Sequence, residues 1–498
     1  MILLRQRGPY KGPFRLINSE YMPMSRAVQN GGSRGGDSGG QDLPERRRIL
    51  QNQGEHMTRE EIIRIVEEEE VEFIRLQFTD LFGIFKNIAI TASQLERALD
   101  GRCMFDGSSI EGFVRVEESD MYLHPDLNTF EILPWRPQQG KVARMICDVY
   151  MPDGTPFEGD PRYILRRAVE KAKKMGYTFH VGPECEFFLF HTDENGRPEV
   201  KAYDKAGYFD VDHLDMAENV RRDIILNMND MGYEIEASHH EIAPSQHEID
   251  FKYVDAMAAA DMVMTFKMAA KIIGKRHGMH ATFMPKPLEG ENGSGMHINM
   301  SLSNKKGKNM FADPKDPNGL SKIAYQFMAG ILFHIREILP LTNPLVNSYK
   351  RLMPGFEAPT SIAWSSQSNR SQLIRIPSTR GEETRIELRC PDSAANPYVA
   401  MAACLCAGLD GIEKKMTPPP SMRENLFDLS ADEVRRLGIE ALPETLGEAL
   451  AFMEKSEFAR MVLGNHAFGK YLLAKKEEWR KYRTSISSWE MEEYLFKV

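Results

Sequence analysis

Cysteine is scarce in this sequence: six in 498 residues, at Cys103, Cys147, Cys185, Cys390, Cys404 and Cys406, with no CxxC pair among them. A disulfide framework and a cysteine zinc site are therefore excluded, and reduced thiols in a cytoplasmic setting are expected. No apolar run approaches the roughly 20 residues needed to cross a bilayer. The best stretches, 398–409 and 262–273, are short, and the second carries Lys267 and Lys271. The opening MILLRQRGPYKG has no long apolar core followed by a small-residue cleavage site, so secretion is not indicated and a soluble protein without a membrane partner is expected. Sixty-three basic against 72 acidic side chains give a net charge of −9, with no basic stripe interleaved with aromatics, which argues against direct nucleic-acid binding. Neither GxxxxGK[ST] nor GxGxxG occurs, so any nucleotide is held without a P-loop or a Rossmann turn. A repeat of fixed period is also lacking.

What the chain does contain, 42% hydrophobic and 27% charged residues, suffices for two or three domains around a sizeable core. Residues 1–56 stand apart, with nine Lys/Arg, nine Gly and the run GGSRGGDSGG, and read as a flexible extension. Arg46, Arg47 and Arg48 hint at a targeting segment, but Asp37, Asp42, Glu45 and Glu55 suit one poorly. A misassigned start or a vector-derived leader is the simpler reading. Structure is expected from Met57, where Thr58 and Glu61 form a capping box ahead of Ile62, Ile63 and Val66. VEFIRLQF and GIFKNIAI, with a turn at Asp80 to Gly83, read as a strand pair within a small domain over 57–155. A larger domain over 156–498 opens with a helix capped by Asp160 and Pro161 and closed by Gly176. Further helices are expected near 217–231, 254–276, 319–338, 395–413 and 455–480. The order of elements lacks βαβ alternation, so the fold class is α+β.

Four segments carry candidate chemistry. In PECEFFLF, strand periodicity puts Glu184 and Glu186 on one face, where two carboxylates repel unless a cation joins them; a solvated edge strand is the alternative. HHEIAPSQHE adds Glu241 and Glu248 on an expected loop, since Pro244 breaks a helix; its spacing matches neither HExxH nor an EF-hand. GSGMHINMS places His297, Asn299 and Ser301 on one strand face. RIELR aligns Arg385, Glu387 and Arg389, with Arg351, Arg370, Arg375 and Arg380 upstream, an array suited to phosphate or carboxylate and equally to cross-strand ion pairs. FDGSSI, holding Asp106 and Ser109, reads by itself as a turn.

Taken in order, FDGSSIEGF, PECEFF, HHEIAPSQHE, MPKP, NGSGMHINMS, NSYKRLMPGFEAP, NRSQLIRIP, TRIELRCPD and AANPY resemble glutamine synthetase of the bacterial type I family over residues 57–498. The resemblance implies a small N-terminal β-grasp-like domain and a larger catalytic domain with a curved antiparallel sheet. It implies ATP-dependent joining of ammonium to L-glutamate through γ-glutamyl phosphate. A γ-glutamyl-amine ligase on the same fold, or a catalytically silent, regulator-binding relative, are the alternatives.

Residue by residue, the resemblance assigns Glu186, Glu241 and Glu248 to one divalent metal and Glu184, His297 and Glu387 to a second. Two or three Mg²⁺ or Mn²⁺ ions are implied, an oxygen-rich set with one imidazole suiting them better than Zn²⁺. It gives Asn292, Gly293, Arg351, Glu357 and Arg389 to glutamate, Glu236, Ser301, Arg375 and Arg385 to the nucleotide, and Arg370 to the transferring phosphoryl group. Asp106, with Ser109 nearby, would take the ammonium proton in a neighbouring subunit's site, and Glu357 would close a flap. Two stacked hexameric rings are implied, strapped by the C-terminal SWEMEEYLF, which could equally dock on its own subunit. Arg115 resembles the arginine of glutamine feedback in a Gram-positive subgroup whose inhibited enzyme binds nitrogen-responsive transcription regulators; a plain surface charge is its other reading. Phe427 stands where adenylylated relatives carry tyrosine, so no hydroxyl is present for that modification. Asn299 replaces a second histidine found in some relatives.

Overall fold

The computed structural model describes residues 56–113, 120–211, 213–366 and 370–498; the extension up to residue 55 and Arg115 fall outside the described residues. Helix α1 (Arg59–Glu68) starts at the expected capping box, Thr58 accepting from the Glu61 N–H while the Glu61 carboxylate accepts from the Thr58 N–H. Strands β1 (Val71–Thr79) and β2 (Phe85–Thr91) pair antiparallel. Between them Asp80 Oδ1 accepts from the N–H groups of Phe82 and Ile84, and Gly83 takes φ 83°, a conformation that costs glycine little. After α2 (Leu95–Leu99) come β3 (Cys103–Asp106), β4 (Asp120–Pro125), β5 (Glu131–Ile132) and β6 (Lys141–Tyr150). They form a six-stranded sheet in the order β2-β1-β6-β4-β3, with β5 beside β6 and β1 parallel to β6. Ile74, Leu76, Phe78 and Met145 close one face of it against α1.

The second part of the chain begins with α3 (Pro161–Lys174), capped by Asp160 and followed by Gly176 at φ 90°. The strand β7 (Tyr177–His191), α4 (Glu218–Asp230), β8 (Ile235–His240), β9 (Gln246–Phe251), β10 (Val254–Asp255), α5 (Ala256–Arg276), β11 (Met279–Thr282) and β12 (Met296–Asn304) follow. Next are α6 (Lys322–Thr342), α7 (Ser348–Arg351), β13 (Trp364–Ser365), β14 (Ile374–Arg375), β15 (Ile386–Leu388) and α8 (Pro397–Glu413). The chain ends with α9 (Ala431–Arg436), α10 (Leu446–Glu454), α11 (Glu457–Leu463), α12 (Asn465–Thr484) and α13 (Ser488–Tyr494).

Nine strands form one sheet in the order β13-β14-β15-β12-β7-β9-β8, with β10 and β11 also on β7. Every pair in it is antiparallel except β13 with β14. Fifteen residues long, β7 is the spine. Its Cys185, Phe187 and Leu189 bury in a core shared with α3, α5, α6 and α8. Helices α6 and α8 approach so closely that a Cβ on Gly330 would collide with the Ala407 carbonyl. The segregation of helices from strands makes this an α+β fold. Among the described residues no helix is long and apolar enough to cross a membrane.

Two local expectations are corrected. The helix read over 455–480 is two helices, broken at Gly464, whose φ of 80° interrupts the helical backbone. The segment 239–248, read as a loop, is largely the β8–β9 hairpin: Pro244 and Ser245 make the turn, and Glu248 lies within a strand. Proline stopped a helix as argued, but it left extended structure available on both sides.

Candidate active site

Strand register builds the site. Pairing of β7 with β9 sets Glu186 opposite Glu248 and Glu184 opposite Asp250. Across the other edge of β7, Glu184 faces His297 on β12. One strand further out on each side, His239 faces Glu248 and Asn299 faces Glu387. Because side chains alternate along a strand, these polar groups share the face that the core does not use. The result is a row of carboxylates on a rigid central sheet.

Crowding decides the electrostatics. Burial, then repulsion by Glu241, pushes the Glu186 carboxyl up to about 7. Burial and the Glu184 charge push Asp250 up to about 8. Glu248 is raised well above the ordinary range by burial and by Asp250. His297 is driven the other way, well below the usual imidazole value, by burial and the Arg389 cation, and is held as a neutral ring. Ligand atoms of Glu184, Glu248 and His297 lie within 4.8 Å of one another, as do those of His239, Glu241 and Glu248. Several acids and a neutral imidazole on one face match the donor set of a hard divalent cation, which would relieve the repulsion.

The supporting contacts are specific. Glu186 Oε2 accepts from Gln246 Nε2 at 2.8 Å and from the Gly295 N–H at 2.9 Å. A Cβ on Gly295 would stand 2.6 Å from the Arg351 guanidinium, 3.0 Å from Glu186 Oε1 and 3.0 Å from His297 Nε2, so any side chain here would displace the ends of three site residues. A third close group, Asp215, His240 and His247, is fully buried behind the hairpin. Its nitrogens are already engaged: His247 bonds Tyr203 and Arg221, each at 3.0 Å, and His240 bonds the Glu241 carbonyl at 2.7 Å and Asp204 at 3.2 Å. This network fixes the turn that carries Glu241.

A cavity of about 770 Å³ lies over the carboxylate row. Glu184, Glu186, Glu241, Glu248 and His297 line it on one side, and Asn292, Gly293, Arg351, Glu357, Arg370, Arg375 and Arg389 line it elsewhere. Glu387 does not line it: fully buried, its carboxylate is held by Arg375 and by Arg389 at 2.6 Å, with its Oε1 3.7 Å from His297 Nδ1. Arg351 is anchored by donating to the Cys390 carbonyl at 2.8 Å. Glu357 adopts φ 54°, an unusual conformation for a side-chain-bearing residue, and approaches the Asn292 amide at 3.5 Å.

A second cavity of about 490 Å³ is lined by Glu236, Asn299, Tyr253 and Arg385 among others. Glu184 and Asp250 line both cavities and form their common wall. Arg385 Nε donates to Asn299 Oδ1 at 3.1 Å, which occupies the amide at the position of the departure noted above. Ser301 does not line the second cavity; its hydroxyl bonds that of Tyr253, which does. Arg375, expected beside Arg385, lines the first cavity instead.

Asp106 and Ser109 stand apart from both cavities, at the end of β3 on the other sheet. Asp106 is exposed, and hydrogen bonds from the Ser108 hydroxyl and N–H hold its carboxyl below the usual range. Among the cavity residues given no role from the sequence are Gln246, Asp250 and Tyr208. The first two follow the period of β9, two residues on either side of Glu248, and were legible once that segment was read as a strand. Tyr208 stacks on Phe209 at 4.0 Å and bonds Arg370 from a loop with no sequence signal.

The family model described as glutamine synthetase, catalytic domain, matches residues 158–494, and that described as glutamine synthetase, beta-Grasp domain, matches residues 70–152. The chain belongs to the glutamine synthetase family. It is 60% identical over 440 residues to a glutamine synthetase of Clostridium saccharobutylicum, covering 88% of this chain and 99% of that one. A glutamine synthetase of Staphylococcus aureus is 56% identical over the same length, with 88% and 98% covered. Solved structures of a GmaS/ADP complex and of apo GmaS without ligand each superpose with a TM-score of 0.79 at 32% identity, covering 87% of this chain and 99% of theirs. As a glutamine synthetase family enzyme, the chain is a glutamate–ammonia ligase that uses ATP and divalent metal.

Proposed function

We propose that the two cavities divide the substrates: glutamate in the larger, beside Arg351 and Arg389, and ATP in the smaller, beside Glu236 and Arg385. The observation that carries this is the shared wall at Glu184 and Asp250, where the two reactants would meet. A γ-carboxylate oxygen of glutamate attacks the terminal phosphorus of ATP and ADP leaves. Ammonia then attacks the acyl carbon and phosphate leaves, giving glutamine. Glu184, Glu186, Glu241, Glu248 and His297, with Glu387 behind His297, would hold Mg²⁺ or Mn²⁺, which supplies charge neutralisation for the phosphates. Arg370 and Arg375 donate to the oxygens on which charge accumulates during transfer, a role for which guanidinium geometry is suited. Asn292 and the Gly293 backbone orient the amino-acid end, and Glu357 shields the site from water.

Ammonium needs an anion to bind it and take its proton, since only neutral ammonia is nucleophilic. We assign this to Asp106, assisted by Ser109, from a second copy of the chain; their exposure outside the chain's own cavities supports an oligomer, which we take to be the dodecamer of two rings. Exposed Trp489, Leu495 and Phe496 at α13 fit a strap between copies. Arg115 is assigned to glutamine feedback, with regulator binding as a second role. Six buried free cysteines fit a cytoplasmic location. We place the domain boundary near residue 155. The test is phosphate release from purified protein given ATP, Mg²⁺, glutamate and ammonium: release is expected only with all four. Release that needs a polyamine in place of ammonium would overturn the assignment.

A further inference from the structure

A third sizeable cavity, about 390 Å³, lies away from the active site between the β1–β2 hairpin and α5. Four cations line it, Arg75, Lys86, Lys267 and Lys271, and no carboxylate does. In a chain of net charge −9 such a one-sided lining has to be explained.

The cations are poorly compensated from within. Only Lys86 has an acidic partner among the described residues, Asp80 at 3.5 Å. Arg75 donates to Asn87 Oδ1 at 2.8 Å, and its buried Nε has no acceptor. Lys267, nine-tenths buried, donates to the Ala395 carbonyl at 2.9 Å. The Lys271 ammonium lies 5.8 Å from the centre of the Phe283 ring. Gln77 lines the same cavity, is 2% exposed, and its Oε1 is unpartnered while its Nε2 has only the weak acceptor Met268 Sδ at 3.3 Å.

A buried cation with full compensation looks different. Arg162, for example, meets Asp126, Asp148 and Asp261 at 2.6 to 2.9 Å. Burial also pulls the Arg75 and Lys267 groups below their ordinary values, with Arg136 adding to the effect on Arg75. An anion would reverse that and satisfy the guanidinium. Gln77 adds a polar group able to meet a hydroxyl or a second oxygen, its amide being free to present either end.

We propose that this cavity is a binding site for a small anion bearing carboxylate or phosphate groups, held by Arg75, Lys267 and Lys271. The site lies where the small sheet meets α5, whose residues also pack in the core beneath β7. Bound anion therefore ties the two parts of the chain together.

Titration calorimetry on the full-length assembly, with glutamate and MgADP present to fill the active site, tests it with succinate and inorganic phosphate as separate probes. Saturable binding of either, weakened at least tenfold in both Lys271→Gln and Arg75→Gln, is expected. Tighter succinate binding identifies a carboxylate ligand, and tighter phosphate binding a phosphoryl one. Lys271 is exposed, so its variant keeps the fold, and ligase activity without the probes should match the parent. No saturable heat with either probe, or equal binding in parent and Lys271→Gln, overturns the proposal.

Discussion

Glu184 and His297 face one another across adjacent antiparallel strands, Oε2 to Nδ1 at 3.2 Å, so the sheet's own hydrogen-bond ladder sets their separation. A pair of side chains held this way is preorganised, and its geometry is insensitive to loops.

Metal removal should therefore destabilise the protein without unfolding it. Chelation leaves Glu184, Glu186, Glu248 and Asp250 facing each other uncompensated. The expected loss follows mass action, about 2.7 kcal/mol where metal had been at 100 times its dissociation constant. Differential scanning fluorimetry with and without EDTA measures it, and restored Mg²⁺ should recover the melting temperature. An unchanged melting temperature would argue against a cation among these residues.

Asp250→Asn removes one charge from the row while keeping its shape. In EDTA the variant should melt higher than the parent, because repulsion with Glu184 is relieved. With Mg²⁺ the order should narrow or invert, since one source of attraction for the cation is gone. Parallel melts in the two conditions separate these effects; a variant that melts lower in EDTA contradicts the crowding argument.

Gly295→Ala should damage the site more than the fold. The added methyl meets the ends of Arg351, Glu186 and His297, which can swing aside at a cost of roughly 1–3 kcal/mol. Displacing these groups by about 1 Å is enough for a rate loss of around 100-fold. Steady-state kinetics beside a denaturation curve will check this, the expected pattern being a large activity loss with a modest shift in midpoint.

Asp160 gives a pH signature remote from the active site. Only 1% exposed, it accepts from the N–H groups of Arg162 and Val149, both at 3.0 Å, and caps α3. Burial, reinforced by Asp148, raises its carboxyl to about 7. The folded state thus keeps a proton that the unfolded chain releases near pH 4, so this contribution to stability is complete at low pH and fades as pH climbs to 7. The stability gap between the parent and Asp160→Asn should shrink over that window, with about 1.4 kcal/mol per pH unit as its ceiling. Urea midpoints at pH 4.5 to 7.5 provide the measurement, and a widening gap would reverse the sign.

Much of this architecture could be read from side-chain period and capping. Thr58 with Glu61 gave α1, Asp160 with Pro161 gave α3, and alternation in PECEFFLF gave the acidic face of β7. Those signals are local, and local physics controls them. Partnership across strands was harder to read: Glu184 meets His297 only because residues 113 positions apart share a register. The hairpin at 235–251 was misread because Pro244 was taken to speak for its whole neighbourhood, and Asp250 was lost with it. Glu387 was grouped with the metal ligands through resemblance; that Arg375 and Arg389 would flank its carboxylate was not legible as contact in the alternation of RIELR. Asp106 was readable as a turn, and it lies apart from both cavities of this chain.

The partition between the two cavities is itself ionic. Filling one side changes the potential on the other, so an anion admitted to the smaller cavity raises the barrier to a second anion unless countercharge enters with it. Under the proposed division of substrates, order of addition would follow from this wall, and an inhibitor spanning it would gain from both chambers what no occupant of one can reach.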